Sequence, residues 1–521
     1  MRIYLSLRNA WYVKNLESVI QILLRRGHEV TLGLCEHYTE PIVALGAGAA
    51  GGGMTVTATP VRSDRWAQTV QQLRQVIDYL HFAGPAFKYI PYSRLRRRGE
   101  VPELAMRLIR RHQLRYGWRR RAAIWWLKQV AESLPPDAGI LEHLKVHRPD
   151  VFVVCPLLGP EADQYEHVRA AKYLGIPTLY AVHSWDNLSS KGLVHMNPER
   201  IVVWNEIQRR EAVGLHNQPE HRIATVGAYP FDYWFEGQPS TTRRDFLKRV
   251  GLPDGRPLIL YLCSALYFAK SEPESDFVSD WLGRLRSCED PKLSGSVVLI
   301  RPHPKRADEF ANDDTGDPLT VVWPPRGEMP DDAERHAAFF DSLYHADAVV
   351  GLNTSAMIEA AIVGRQVHTI LEPRYEISQM STYHFKYLTN PKGGILRVAT
   401  DWEMHFAQLR ETLTNPESKL RTVEFIDWFV RPQGRHRRAS DIVADEIEWT
   451  ASRARLIGLA GVRLRPFTLP WLERMQSRVA VAEAEVARKP RQSLERWHER
   501  RQFLTSIERK WILNRTPVDR A

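Results

Sequence analysis

Three stretches of this 521-residue chain carry side chains that do chemistry. The first is LYAVHSWDNLSSKG, residues 179–192, where an apolar run ends in His183 and is followed by Asp186, Asn187 and Lys191. An imidazole titrating near ~6.5 takes a proton from a hydroxyl at neutral pH. Asp186 either orients it or serves as the base itself, and Lys191 is placed to meet a phosphate. The second is VVLIRPHPKR, residues 297–306, an apolar strand ending in Arg301 and His303. Pro302 and Pro304 stiffen that exit, and a guanidinium beside an imidazole suits a phosphate. The third is AVVGLNTSAMIEAAIVG, residues 348–364. Here a strand runs into Asn353, Thr354 and Ser355, residue types that cap a helix. The N–H groups that follow form an anion site. Glu359, one turn deeper, is placed to accept hydrogen bonds from a ribose. Each stretch alone has an ordinary explanation: a bonded loop histidine, an Asx-turn at Asp186–Asn187, a paired arginine, a capped surface helix. Their shared position at strand exits favours a site.

The elements that must position these groups alternate. Strands are expected at 2–7, 29–34, 150–155, 178–182, 200–204 and 221–226, with helices at 15–26, 163–174 and 206–213 between them. Gly27 and Gly175 stop two of those helices. The linker chemistry of 237–257 puts a boundary near 235–257. A second series then begins, with strands at 258–262, 297–300, 319–322, 348–351 and 367–370. This rhythm means parallel sheets. The fold class is α/β, two doubly wound Rossmann-like domains in tandem. They span 1–235 and 258–400, with closing helices at 401–450 and a basic helical tail at 451–521. Ligands bind at the carboxyl ends of parallel strands, so the site belongs in the cleft between domains. GAGAAGGG, 46–53, lacks the GK[ST] ending of a phosphate loop and reads as an ordinary loop.

Composition narrows the class. A hydrophobic content of 44% supports sizeable cores and excludes global disorder. The four cysteines, Cys35, Cys155, Cys263 and Cys288, lie far apart without CxxC pairing, as expected of buried thiols in a reducing compartment. No apolar window approaches the ~18 residues of a spanning helix. The expected location is cytoplasmic, peripheral on the inner face of a membrane. The net charge of +11 is concentrated in two places. The segment 87–130 interleaves Arg96–Arg98, Arg107, Arg110, Arg111, Arg115 and Arg119–Arg121 with Tyr116, Trp118, Trp125 and Trp126. That mixture suits an anionic membrane interface, although a solvated helix face explains it as well. No RNP, zinc-finger or basic-zipper pattern supports nucleic acid. The second basic region is the tail.

RPHP with "aD.vvG.NTSA.iEAa..G..V" resembles the donor-binding half of GT-B glycosyltransferases over residues 258–372. The resemblance implies a nucleotide-diphosphate sugar bound mostly by the second domain, with its pyrophosphate at the helix after Ser355. The nucleotide sugar would be a substrate, so no cofactor is called for. The partner would be a glycan or lipid-linked acceptor of the cell surface. His183 and His303 also resemble, in placement, two histidines of CDP-glycerol glycerophosphotransferases. In that family a Gly follows the first histidine, whereas this chain has Ser184, which favours a sugar donor over a polyol phosphate. A nonhydrolysing nucleotide-sugar epimerase stays open as a related alternative, and a non-catalytic membrane-surface protein as one of another class. Arg301, His303 and the groups after Asn353–Ser355 would hold the leaving diphosphate, with Tyr375 and Glu376 lining the donor. No DxD-type pair stands at a strand exit, and Asp313–Asp314 and Asp331–Asp332 read as solvated turns. A metal-independent transfer is therefore expected.

Overall fold

The computed structural model describes residues 1–35, 53–87, 97–157, 159–160, 162–265, 273–310, 316–325, 327, 332–390, 393–415 and 421–457. The GAGAAGGG stretch up to Gly52, Asp313–Asp314, Asp331 and the tail beyond 457 lie outside these residues. Both sheets belong to one compact unit, which takes in residues 1–131 and 135–457 of those described.

The first sheet has seven strands: β1 (Arg2–Leu7), β2 (Glu29–Cys35), β3 (Met54–Thr59), β4 (Val151–Cys155), β5 (Thr178–Ala181), β6 (Arg200–Val203) and β7 (Ile223–Thr225). Their order is β3-β2-β1-β4-β5-β6-β7, all parallel. The second has six: β8 (Leu258–Leu262), β9 (Val297–Arg301), β10 (Thr320–Val322), β11 (Ala348–Gly351), β12 (Val367–Ile370) and β13 (Leu396–Ala399). It is again all parallel, in the order β10-β9-β8-β11-β12-β13. Both orders reverse direction once, between β1 and β4 and between β8 and β11. At such a switch point the neighbouring connections leave to opposite sides and open a crevice beyond the strand ends.

The helices used below are α1 (Val13–Arg25), α2 (Ala67–Phe82), α3 (Glu103–Arg111), α4 (Gly117–Ser133), α5 (Gln164–Tyr173), α6 (Asn187–Ser190), α7 (Glu206–Gly214), α8 (Asp232–Glu236), α9 (Glu274–Arg286), α10 (Ala333–His345), α11 (Ala356–Ile362), α12 (Tyr383–Leu388), α13 (Trp402–Thr414) and α14 (Ala439–Ile457). The central strands are buried on both faces, which is why they read as unbroken apolar runs. α1 is amphipathic and buries Leu16, Val19, Ile20 and Leu23 on the first sheet. It stops at Gly27, whose φ of +77° only glycine adopts without strain. β3 and β13 are not legible in the sequence. Both are edge strands with half-exposed, partly polar faces, so neither shows a buried run.

The chain returns to its first half at the end. α14 packs Ala439, Val443, Ala444 and Ile447 into the core beneath the first sheet. Arg200 on β6 donates to both oxygens of Glu446, at 2.6 and 3.0 Å, and fixes that return. One apolar core also joins the halves, holding Trp185, Trp204, Phe231 and Trp234 together with Phe246, Leu260, Phe340 and Phe429. The four cysteines are free thiols; three are buried and Cys288 is half-buried.

Candidate active site

His183 leaves the carboxyl end of β5 beside a loop held on both flanks. Trp204 Nε1 donates to Val182 O at 2.9 Å, and Gln208 Nε2 to Ser184 O at 3.0 Å. The ring of His183 meets Tyr12 edge-on, with centroids 5.1 Å apart. Tyr12 closes the short turn between β1 and α1, so the first sheet's switch point and the His183 loop share one wall. His183 Nδ1 is buried and has no hydrogen-bond partner among the described residues. Burial pulls its pKa down to about 4; Asp186 opposes that shift and Lys191 adds to it. The imidazole is neutral at pH 7, and its lowered pKa makes it a weak base until negative charge arrives beside it.

Asp186 does not bond to His183. Its Oδ1 accepts from Ser184 Oγ at 2.8 Å, and its Oδ2 from Ser190 Oγ at 3.2 Å and Lys191 Nζ at 3.0 Å. Burial raises its pKa, but Lys191, His384 and the Ser184 bond outweigh this and hold the carboxyl below its ordinary range. A carboxylate stabilised in its charged form by this many donors is a poor base. Asp186 therefore anchors the loop, and Lys191, expected at a phosphate, is its counter-ion.

The loop is clamped from outside by groups without a sequence signature. From α2, Asp78 accepts from Leu193 N at 3.2 Å and pairs with His195 at 2.8 Å. His216 accepts from Val194 N at 3.1 Å through Nδ1, which leaves Nε2 to donate to Leu188 O at 2.7 Å. α12 arrives from the second half. His384 lies edge-on to Trp185 with centroids 4.7 Å apart and 3.4 Å from Ser189 Oγ, while Tyr387 donates to Glu211 at 2.6 Å.

The second wall is the β8/β11 switch point. Gly351 sits so close to β8 that a Cβ there would be 2.8 Å from Leu262 O. Asn353 N donates to Ser264 Oγ at 3.1 Å, and Ser264 N to Glu274 Oε2 at 2.7 Å. Glu274 is buried, and burial pushes it up to about 8 against the Ser264 N–H bond. Asn353 Nδ2 donates to Ser378 O. Ser355 is exposed, with helical φ and ψ of −61° and −26°, and makes no side-chain capping bond to α11. The expectation that Asn353, Thr354 or Ser355 caps this helix is thus corrected. A capping side chain needs an extended backbone at its own residue, and Ser355 is already helical.

Glu359 on α11 is half-buried. Burial raises its pKa to about 7, and the positive charge of Lys14 opposes the shift. Lys14 lies in the first turn of α1, in the other half, and it also helps lower His336 of α10, which burial takes down to about 4. The His336 ring lies tilted at 52° against Tyr233 of α8, with centroids 3.9 Å apart. The two halves are coupled here through charge: His183 meets Tyr12, and the charge of Lys14, two residues on, acts on Glu359.

One predicted phosphate group, Arg301, is placed differently from expectation. Arg301 is buried, donates to Ser342 Oγ on α10 at 2.7 Å, and has the rings of Phe339 and Trp323 at 4.9 and 5.1 Å. An arginine that sheds its hydration between two aromatic faces is a packing element of the domain. His303 accepts from Lys305 N at 3.2 Å, and burial with Lys305 and Arg306 lowers it to about 4. Tyr375, expected to line a donor, is buried and donates to Pro273 O at 3.1 Å. Asp332, read as a solvated turn, caps α10 by accepting from Arg335 N at 2.8 Å. Among the described residues no group of three His, Cys, Asp or Glu side chains is placed to hold a metal ion.

No protein-family model matches the chain, and no curated protein matches it in sequence. Solved structures are similar in arrangement. The UDP-GlcNAc 2-epimerase of Methanocaldococcus jannaschii is 11% identical at a TM-score of 0.48, covering 86% of this chain and 100% of that one. WaaG, a glycosyltransferase involved in lipopolysaccharide biosynthesis, is 11% identical at 0.45, covering 85% and 99%. The wall teichoic acid polymerase TagF is 11% identical at 0.44, covering 87% and 89%. At these identities and scores the likeness describes arrangement, and no activity is carried over from it. The groups that sequence reasoning missed are Tyr12, Lys14, Asp78, Glu211, Glu274 and His384. All act through contacts distant in the chain; Lys14, two residues into a helix that starts at a switch point, is the one whose position in sequence pointed to it.

Proposed function

We propose that this protein is a glycosyltransferase. It binds a nucleotide-diphosphate sugar between its two sheets and passes the sugar to a hydroxyl of a glycan or lipid-linked acceptor of the cell surface. The supporting observation is the set of reactive groups at the strand exits of the two sheets. The first sheet contributes His183, one strand from its switch point, a neutral imidazole with an unpartnered Nδ1; the second contributes the Asn353–Ser355 turn and Glu359, on which the charge of Lys14 from the first half acts.

In this reaction His183 takes the acceptor proton as the acceptor oxygen bonds to the anomeric carbon. The bond from that carbon to the diphosphate breaks, and its electron pair leaves with the phosphate. Lys14 and the backbone N–H groups after Asn353 meet the charge that develops. Glu359 accepts from the nucleotide's sugar hydroxyls, and the arriving diphosphate raises the basicity of His183. We take the transfer to be metal-independent, since the sequence offers no DxD-type pair at a strand exit.

The test is calorimetric titration with UDP, CDP, GDP and ADP, followed by a transfer assay with the matching nucleotide sugar. His183→Ala is expected to lower kcat by about 10²–10⁴-fold, the range for losing a general base, with nucleotide affinity kept within about threefold. Absence of binding by any nucleoside diphosphate, or full turnover in His183→Ala, refutes the proposal. Release of CMP with phosphate retained on the product assigns a phosphotransferase instead. A new nucleotide sugar formed without acceptor assigns an epimerase.

A further inference from the structure

The segment 97–131 builds a surface that the cleft chemistry does not use. α4 presents two apolar faces. One, Ala123, Ile124 and Leu127, packs with Met106 and Ile109 of α3 on Tyr79 and Leu80 of α2. The other is open. Trp118 and Trp125 are spaced i, i+7 on one stripe, and they are 69% and 63% exposed. Trp126 and Tyr116 flank them at 42% and 56%, and Leu108 of α3 at 47%. A globular chain leaves single large rings in water, but three exposed tryptophans in nine residues are an interaction surface.

The charges around these rings are mostly of one sign; the exception is Glu132, one heptad beyond Trp125 on α4. Arg111, Arg115, Arg119 and Arg121 are exposed, and Arg115 and Arg119 lie over the rings of Tyr116 and Trp118 at 4.8 and 5.8 Å. The other two acids here are engaged, Glu100 with Arg97 at 2.7 Å and Glu103 with Arg110 at 3.4 Å. Not every arginine faces out. Arg97 is buried beside Asp78, and Arg120 turns inward to donate to Leu80 O at 3.4 Å. The fold thus sorts the arginines, keeping the structural ones inside and leaving the rest around the indoles.

We propose that this face docks the protein on an anionic lipid surface. Indoles with arginines around them match the headgroup level of a bilayer, where ring and stem are buried and the guanidinium meets phosphate. A single strand of RNA is the weaker candidate. It stacks bases in sequence along a groove, whereas these rings stand on the outward face of a helix. The chain's own residues 458–521 lack the complementary sign, since their arginines and lysines outnumber their acids. The mounting links docking to the cleft. In α2, Tyr79 and Leu80 carry the docking helices, while Asp78 holds Leu193 N and His195 of the His183 loop. A lipid-linked acceptor would then enter from the surface on which the protein sits.

The experiment is flotation of the full-length protein with phosphatidylcholine vesicles, with and without phosphatidylglycerol, alongside anisotropy with a fluorescent single-stranded RNA. Binding is expected to the phosphatidylglycerol vesicles only, and to weaken with salt. Trp118→Ser with Trp125→Ser should weaken it at least tenfold, and Arg119→Glu with Arg121→Glu by at least about fivefold per arginine. All four residues are exposed, so nucleotide affinity and thermal unfolding of the variants should match wild type, which separates this test from that of the cleft. Wild type that stays unbound overturns the proposal, as do variants that float like wild type. Competition in which RNA displaces the vesicles, with the tryptophan pair immaterial, assigns the face to nucleic acid.

Discussion

Replacing Glu211 with glutamine should remove a pH dependence of stability that the wild type carries. Glu211 lies on α7 and is buried at 5% exposure. Its Oε1 accepts from Tyr387 of α12 at 2.6 Å, and its Oε2 has no partner among the described residues. Burial pushes its pKa from 4.5 up to about 8; the Tyr387 bond pulls it back and the nearby Asp186 charge pushes it further up. The folded state therefore favours the protonated carboxyl. Its contribution is fully present below the unfolded pKa of 4.5 and is lost as pH rises through about 8. At ~1.36 kcal/mol per unit, a displacement of this size corresponds to on the order of 5 kcal/mol across that window. The assay is guanidinium unfolding followed by tryptophan fluorescence at several pH values from about 5.5 to about 8.5. The wild type should lose stability relative to Glu211→Gln by several kcal/mol over that range. Tyr387→Phe removes the bond that lowers the pKa, so its loss should shift to higher pH. Parallel pH profiles for wild type and Glu211→Gln would refute the reasoning.

Two further substitutions test the site's construction. In Gly192→Ala, a Cβ would lie 2.6 Å from Gly159 Cα and 2.9 Å from Asp78 Oδ2, so the loop carrying Lys191 must move. Thermal unfolding should show about 1–3 kcal/mol of overpacking cost, and the transfer assay a loss of turnover larger than that cost explains. Arg301→Met keeps the stem but deletes the group held by Ser342, Phe339 and Trp323. Its expected effect is a stability loss of about 1–3 kcal/mol with nucleotide affinity unchanged in calorimetry. Weaker nucleotide binding at unchanged stability would return Arg301 to a phosphate role.

The strand exits that carry His183, Arg301 and Asn353 were legible because parallel strands buried on both faces leave unbroken apolar runs, and the first polar residue after each run marks its end. What those polar residues touch was not legible. Arg301 and Asp186 both sit at exits where a ligand group was expected, yet Arg301 is turned under α10 and Asp186 is engaged by Ser184, Ser190 and Lys191. Spacing gives the position of a side chain along an element; its direction depends on what packs beside it. β3 and β13 were missed for the opposite reason, since an edge strand with one wet face carries too little apolar pattern to stand out.

By itself, then, the sequence determined two tandem parallel sheets, the exits where polar groups gather, and a basic-aromatic segment set apart from them. These follow from local rules: apolar runs, glycine stops and residue types after strands. The tertiary structure decided that α12 of one half clamps the His183 loop of the other, and that the charge of Lys14 acts on Glu359. It also decided which arginines of 97–121 are internal and which surround the exposed tryptophans. These are contacts between residues far apart in the chain, fixed by the packing of helices on sheets, and no spacing within a single segment records them.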